Sequence, residues 1–372
     1  MSFSSHLKGI SSAAEYPVDM LMNLCPVDGR PVEIVLALDR LLSEKGQLGW
    51  YRPERHDMWR FGALLALDID DPLDRQHIVS LGEGNTPLID MAGHPLAKKE
   101  RFQLQVKLEG RAVKGYGSNP TGSFKDRGMA MTVSMAKRHG LKRLAVPTQG
   151  NAGDSLAAYA IAAGLEAAIV MPRDTPSPII DRVDDLSRRV DGIHYELVEG
   201  TIREAGERVR DRWLPEGYFS VATFQEPGWR IEGKKTLGLE IAEPAQAGGN
   251  WALPDVIVYP TGGGTGLLGM WKAFAELESL GLIDERRPRM VSVQSDATRP
   301  IVDAFENGWL DTQPSAAGHT RAVGLNVPGG VGHFRVLEIL RQSCGGAVSV
   351  SEEEISAAMT EEFSGCGGPL SP

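Results

Sequence analysis

Asn119-Pro120-Thr121-Gly122-Ser123-Phe124-Lys125-Asp126-Arg127-Gly128 reads as a loop that runs into a helix. Pro120 and Gly122 punctuate a tight turn. Ser123 is placed to cap the helix, and Asp126 falls in its first turn. The apolar run from Met129 to Ala136 then continues with helix-compatible spacing. Lys125 thus stands on the first turn, beside backbone N–H groups that favour anions and mildly disfavour an ammonium. The position is odd for a structural lysine and suitable for a reactive one. Taken alone it still reads as a solvated side chain. The turns downstream decide the matter.

Beyond this helix the chain repeats strand, loop and helix. Leu144–Pro147 is a short apolar strand ending in Thr148-Gln149-Gly150-Asn151-Ala152-Gly153, and Leu156–Ala163 is an alanine-rich helix. Ala167–Met171, His194–Val198, Tyr218–Phe224 and Met290–Gln294 are further strands. Val256–Tyr259 reads as a buried one, followed by Pro260-Thr261-Gly262-Gly263-Gly264-Thr265-Gly266 and a helix over Leu267–Leu277. This alternation predicts an α/β protein with open, doubly wound parallel sheets. Ligands of such sheets bind outside the carboxyl ends of the strands, where both glycine turns fall.

Residues Gly262, Gly263, Gly264, Thr265 and Gly266 form a cradle by chemistry. Backbone N–H groups can approach a phosphate there, and the following helix adds its dipole. The turn lacks the Lys-Ser/Thr ending of a P-loop and the spacing of a dinucleotide fingerprint. Four glycines in five positions are more than a tight strand-to-helix turn needs. A phosphate cradle together with a reactive lysine suggests pyridoxal 5'-phosphate, whose aldehyde condenses with lysine. The Gly150–Gly153 turn would then set the Asn151 amide beside the ring, or serve as a plain helix entry.

The 372 residues can bury a sizeable core and suggest two or three domains. Hydrophobic residues make up 42% and charged residues 24%, as in ordinary globular proteins. With 39 Lys and Arg against 49 Asp and Glu the formal net charge is −10, which argues against nucleic-acid and anionic-membrane partners. No run has transmembrane length, and no signal-peptide core opens the chain. Cys25, Cys344 and Cys366 are no disulfide framework, so a cytoplasmic setting is expected. Cys25-Pro26-Val27-Asp28-Gly29 resembles half a zinc knuckle without its partner cysteines, so no metal is expected. Helix-like periodicity runs from Val32 to Leu42. Leu81–Leu88 is a turn-rich connector, and Phe102–Leu108 alternates like a strand.

The lysine, asparagine and glycine motifs, in this order, resemble a fold-type II pyridoxal phosphate enzyme. Asn119–Gly128, Arg230-Ile231-Glu232-Gly233-Lys234-Lys235-Thr236 and Tyr259–Met270 look like the threonine synthases, over about Leu81 to Gly332. The resemblance implies two doubly wound open-sheet domains of the tryptophan synthase β-like architecture with the cofactor between them. Residues 1–80 would be an N-terminal extension. Residues 119–229 would form the smaller domain, and 81–118 with 230–372 the larger. Lys125 would carry the cofactor, Asn151 contact its 3-hydroxyl, and Gly262–Gly266 hold its phosphate. The implied reaction converts O-phosphohomoserine and water to threonine and phosphate, and a homodimer is expected. Ser123, Arg127 and Thr148 are candidates for the substrate phosphate, each equally a cap or a salt-bridge partner. Relatives of this kind continue past Gly365–Pro372 with a strand whose hydroxyl meets the pyridine nitrogen, so the larger domain is expected to be truncated. Alternatives are cysteate synthase, cysteine synthase, threonine dehydratase, or a catalytically impaired cofactor-binding protein.

Overall fold

The computed structural model describes residues 2–110, 116–246 and 248–360. Strand β1 (Ser4–Gly9) lies between β2 (Glu15–Pro17) and β3 (Val32–Leu36) in an antiparallel sheet, and helix α1 (Leu38–Lys45) follows. The helix expected over Val32–Leu42 is therefore half strand. Val32, Ile34 and Leu36 point inward while Glu33 and Val35 are only partly covered, and that period of two, in β-branched residues, wins before Leu38. A 3₁₀ segment (Met58–Leu64), short helix α2 (Pro72–Arg75) and the hairpin β4 (Leu88–Asp90) and β5 (Gln105–Lys107), which encloses α3 (Pro95–Glu100), lead to the lysine. Residues 1–80 are no loose extension, since buried Trp59 donates through Nε1 to Glu83 at 2.8 Å.

Helix α4 (Lys125–Arg138) precedes a parallel sheet of order β8-β7-β6-β9. Its strands are β6 (Arg143–Pro147), β7 (Glu166–Pro172), β8 (Ile193–Val198) and β9 (Phe219–Ser220), linked by α5 (Asn151–Ala163), α6 (Ser177–Arg189) and α7 (Ile202–Arg208). The strand expected over Tyr218–Phe224 shrinks to two residues. After α8 (Trp229–Ala242) comes a second parallel sheet, β10 (Val256–Pro260), β11 (Arg289–Ser295) and β12 (Gly346–Val350), with α9 (Thr265–Ser279), α10 (Pro300–Glu306) and α11 (His333–Gln342) in its connections. Helix α12 (Glu352–Thr360) follows. Strand β10 is at the edge, and Val256 and Val258 are 44% and 62% exposed. The apolar run announced a strand but not what covers it. Residues 361–372, on which the expected early ending falls, lie outside the described residues.

Helix α8 is buried on nearly every side, because α4 and α9 both pack against it. The approach is close enough that a Cβ on Gly233 would strike the Arg127 carbonyl, and one on Gly269 would sit 2.8 Å from the Lys235 nitrogen. Two charge clusters lock this stack. Lys235 pairs with Glu232 and Glu276, both at 2.9 Å, and Lys272 pairs with Glu232 at 2.7 Å and Glu276 at 3.1 Å. The other cluster surrounds Arg127. Its guanidinium donates to Glu109 at 2.7 and 2.8 Å, to Glu240 at 2.8 and 2.7 Å, and to Thr236 and Thr86, both at 3.0 Å. Lys107 and Arg60 also reach Glu240, at 2.7 and 3.4 Å. Burial disfavours each charge, but the geometry satisfies nearly all of them, which is the condition for such clusters to persist.

Candidate active site

Lys125 opens α4, and its backbone N–H donates to the Ser123 hydroxyl at 3.3 Å. Phe124 occupies the N-cap position itself, so Ser123 stands one residue further out than expected while still serving the helix end. Burial first, and the nearby Arg230 charge second, push the Lys125 amine down from 10.5 to about 8. Its Nζ lies 4.4 Å from the centre of the Phe124 ring. Arg127, expected as a candidate for the substrate phosphate, is a correction. Two residues along the helix, it is carried away from Lys125 into the acidic cluster, where its donors are engaged by carboxylates and hydroxyls.

The glycine turn leaves β10 and enters α9. Gly264 has φ +92°, a conformation that L side chains rarely adopt, and any Cβ there would meet Val336. A Cβ on Gly263 would come within 2.9 Å of Thr223 Cγ2, and one on Gly262 within 3.0 Å of the Gly324 carbonyl. Gly266 lies against the Tyr259 hydroxyl and 3.4 Å, from its ideal Cβ, from Phe124. The turn and the lysine are thus neighbours. Fully buried His333 fixes the turn from behind. A carbonyl accepts only, so His333 Nε2–H donates to Gly262 at 2.9 Å, while Nδ1 accepts from Gly330 N–H at 3.2 Å. Desolvation pushes this imidazole down to about 4, which keeps it neutral.

Three residues here escaped the sequence reading as site residues. Arg230 and Lys234, four residues apart in the first turns of α8, share one face, and Glu226 lies just before the helix. Arg230 donates to Thr223, which touches Gly263, at 3.0 Å, and its buried Nε has no partner among the described residues. Lys234 donates to Thr265 Oγ1 at 2.6 Å and lies 4.4 Å from the same Phe124 ring as Lys125. Glu226, the carboxyl of this group, is pushed up to about 7 by burial. The four-residue spacing was the available signal, but a helix buried on all sides shows no periodicity that picks out one face.

Asn151 is the first residue of α5, at the carboxyl end of β6. Its amide makes no hydrogen bond to the described residues. Thr148 donates to the Gly150 carbonyl at 3.0 Å and accepts from its N–H at 3.1 Å, so its hydroxyl shapes the asparagine turn. Gly324 touches both turns: its Cα is 3.8 Å from the ideal Cβ of Gly150, and its carbonyl abuts Gly262. The segment around the 3₁₀ turn Val323–Leu325 therefore spans the mouth between the asparagine and glycine loops. Cys25 is buried against Ser12 and Tyr16, at 3.3 and 3.2 Å, and among the described residues no His, Cys, Asp and Glu group could hold a metal ion.

A family model described as "Pyridoxal-phosphate dependent enzyme" matches residues 79–367. The chain belongs to this family. It is 29% identical over 356 residues to a threonine synthase of Methanosarcina acetivorans, covering 96% of this chain and 81% of that one. It is 32% identical to a threonine synthase of Mycobacterium bovis, covering 75% of this chain and 70% of the relative. The solved processed form of threonine deaminase isoform 2 from Solanum lycopersicum superposes with a TM-score of 0.60 at 23% identity, over 82% of this chain and 78% of that one. The fold is the fold-type II, tryptophan synthase β-like architecture of pyridoxal-phosphate dependent enzymes, and pyridoxal phosphate is the cofactor. No helix among the described residues is long and apolar enough to cross a membrane.

The residues fit a cofactor of this family. The Gly262–Gly266 turn is a cradle that side chains would fill, and Lys234 reaches it through Thr265 Oγ1 at 2.6 Å. Gly264→Asp is expected to abolish measurable cofactor affinity, and Gly264→Ala to weaken it, since φ and Val336 together impose strain of about 1–3 kcal/mol. A titration followed by visible absorbance checks this. Parent-like affinity in both variants would put the cradle elsewhere. A second expectation concerns pH. Only the unprotonated Lys125 amine attacks an aldehyde, so capture of the cofactor should rise about tenfold per pH unit up to about 8 and level off above it. A midpoint near 10.5 in a pH series of capture rates would contradict the desolvated setting.

Proposed function

We propose that this pyridoxal-phosphate dependent enzyme is a threonine synthase, converting O-phospho-L-homoserine and water to L-threonine and phosphate. The observation that carries the proposal is the charge balance of the cleft. Lys125, Arg230 and Lys234 are three basic groups gathered beside the glycine turn with Glu226 as the carboxyl among them. With Lys125 taken up by the cofactor aldehyde and Lys234 at the turn, Arg230 is left to meet an anion beyond the cofactor phosphate. The likeness to curated threonine synthases supports the same substrate.

The bound cofactor supplies an electron sink for carbanions next to its ring. The chain supplies the rest. In this reading the Gly262–Gly266 N–H groups and Thr265 hold the cofactor phosphate, and Asn151 faces its ring. Lys125, with its proton affinity lowered, takes the proton from Cα of the substrate and then from Cβ. Arg230, through its unpaired Nε, faces the γ-phosphate and holds it as it leaves. A proton is then returned to Cγ, water adds at Cβ with its other proton going to the released phosphate, and a second proton is returned to Cα, so both protons taken from the substrate end on the product. Ser123 and Thr148 serve as turn and helix-end hydroxyls that shape the walls. The cleft lies between a smaller unit, 119–229, and a larger one made of 81–118 and 230–372. The proposal takes the enzyme as a cytoplasmic homodimer, and light scattering of the purified protein tests the dimer.

Phosphate release is expected with O-phosphohomoserine and should be at least about 100-fold slower with O-phosphoserine, whose phosphate sits one carbon closer to Cα. Preference for O-phosphoserine together with sulfite would identify a cysteate synthase instead. Cofactor binding without turnover of either would mark a catalytically impaired protein.

A further inference from the structure

Lys234 sits where the cofactor reading needs neither a nucleophile nor a scaffold charge. Its neighbour Lys235 is held by two carboxylates, whereas among the described residues no carboxylate lies within ion-pairing distance of Lys234. Lys234 is 2% exposed, and its hydrogen bond goes to a neutral hydroxyl, Thr265 Oγ1, at 2.6 Å. Thr265 is the first residue of α9 and part of the glycine turn, so the amine reaches the phosphate cradle from its α8 side. The titratable and charged groups facing it are Lys125 from α4, Arg230 from α8 and Glu226 just before α8. Two of these oppose a positive charge, and Glu226, one oxygen of which accepts from the Arg230 backbone N–H at 3.2 Å, is the single one of them that favours it. A buried ammonium in such surroundings is costly, and the amine is accordingly held well below its ordinary range. A phosphate dianion in the turn reverses that balance, because the opposite charge arrives in a desolvated site.

Resting on the cofactor reading above, we propose that Lys234 is the proton-accepting partner of the phosphate in the Gly262–Gly266 turn: an amine while the turn is empty and an ammonium once phosphate is seated, so that binding takes up one proton. The helix dipole and backbone N–H groups of the turn orient the anion, and Lys234 adds the full charge through Thr265. Lys125 remains free to meet the aldehyde, since the two amines approach Phe124 from different helices. Arg230 is left for a second anion.

The test uses pyridoxine phosphate, which has the phosphate but no aldehyde and so cannot condense with Lys125. Calorimetry of the apoenzyme at pH 8, in buffers of different ionisation enthalpy, counts protons taken up per ligand bound; at that pH the phosphate itself is already a dianion. The parent is expected to take up one proton more than Lys234→Gln and Lys234→Met, and both variants to bind about 10- to 100-fold more weakly, the loss of one charged hydrogen bond. The two variants differ in polarity, so one of them remains usable if the other melts early. Pyridoxine without phosphate should show no difference between parent and variants. An unchanged proton count in a folded Lys234 variant overturns the inference. If Gly264→Asp then loses the ligand, the cradle reading survives and Lys234 alone is wrong. If Gly264→Asp binds like the parent, the cradle reading has failed with it.

Discussion

Lys125→Ala is expected to lower phosphate release from O-phosphohomoserine by at least roughly 10³-fold, within the range lost with a general base and more than the loss of a positioning contact. The same variant should melt at or slightly above the parent temperature. Burial opposes the Lys125 charge, and the amine has no carboxylate partner among the described residues, so truncation removes a desolvated group rather than a support. Loss of function without loss of stability distinguishes a reactive lysine from a structural one. Borohydride reduction of the holoenzyme and peptide mapping should put the label on Lys125. Lys235 is excluded by its two carboxylates, and a label on Lys234 would exchange the roles assigned to the two cleft amines.

The largest stability effect should come from Glu240. Its carboxylate accepts from Arg127, Lys107 and the Asn85 backbone N–H, and lies 3.4 Å from Arg60. Glu240→Gln removes the charge and keeps the shape, leaving three cations gathered around a neutral amide. The expected cost is about 3–5 kcal/mol, the amount typical of breaking one side of a buried pair. The pH dependence follows from the sign. These cations hold the Glu240 carboxyl well below the usual carboxylate range in the folded state. Its contribution is therefore complete above the unfolded value near 4.5 and is lost as pH falls toward the depressed folded one. Urea melts from pH 7 down should converge for parent and variant only at strongly acid pH. A difference below about 1 kcal/mol at pH 7 would mean that the cluster contributes no more than a surface pair.

What was legible in the chain was local. The lysine loop, the asparagine turn and the glycine cradle each declare themselves within ten residues, because turns and helix entries have their own residue chemistry. The alternation of strands and helices over 144–294 was legible for the same reason. Features that depend on a distant partner were not. Arg127 looks like a cleft residue until Glu240, far along the chain, draws it inward. Arg230 and Lys234 lie in a helix so evenly buried that sequence periodicity cannot say which face meets the cradle. Val32–Leu36 hid a strand inside a helix-like pattern, since five residues followed at once by a real helix blur the two periods.

The Arg127 cluster also sets a clock on biosynthesis. Its hydroxyl and carboxylate acceptors at Thr86 and Glu109 are made before the arginine, but Glu240 follows it by 113 residues. At ribosomal rates of roughly 5–20 residues per second, that is a wait of about 6–23 s. Through that interval the only native partners among the described residues already synthesised for the guanidinium are Glu109 and Thr86, and α8, which packs between α4 and α9, does not yet exist. The reactive amine is thus assembled into its desolvated setting late, after most of the β6–β9 sheet has left the ribosome. A nascent chain stalled before residue 240 should consequently capture no pyridoxal phosphate, although every residue of the lysine and asparagine loops is already in place.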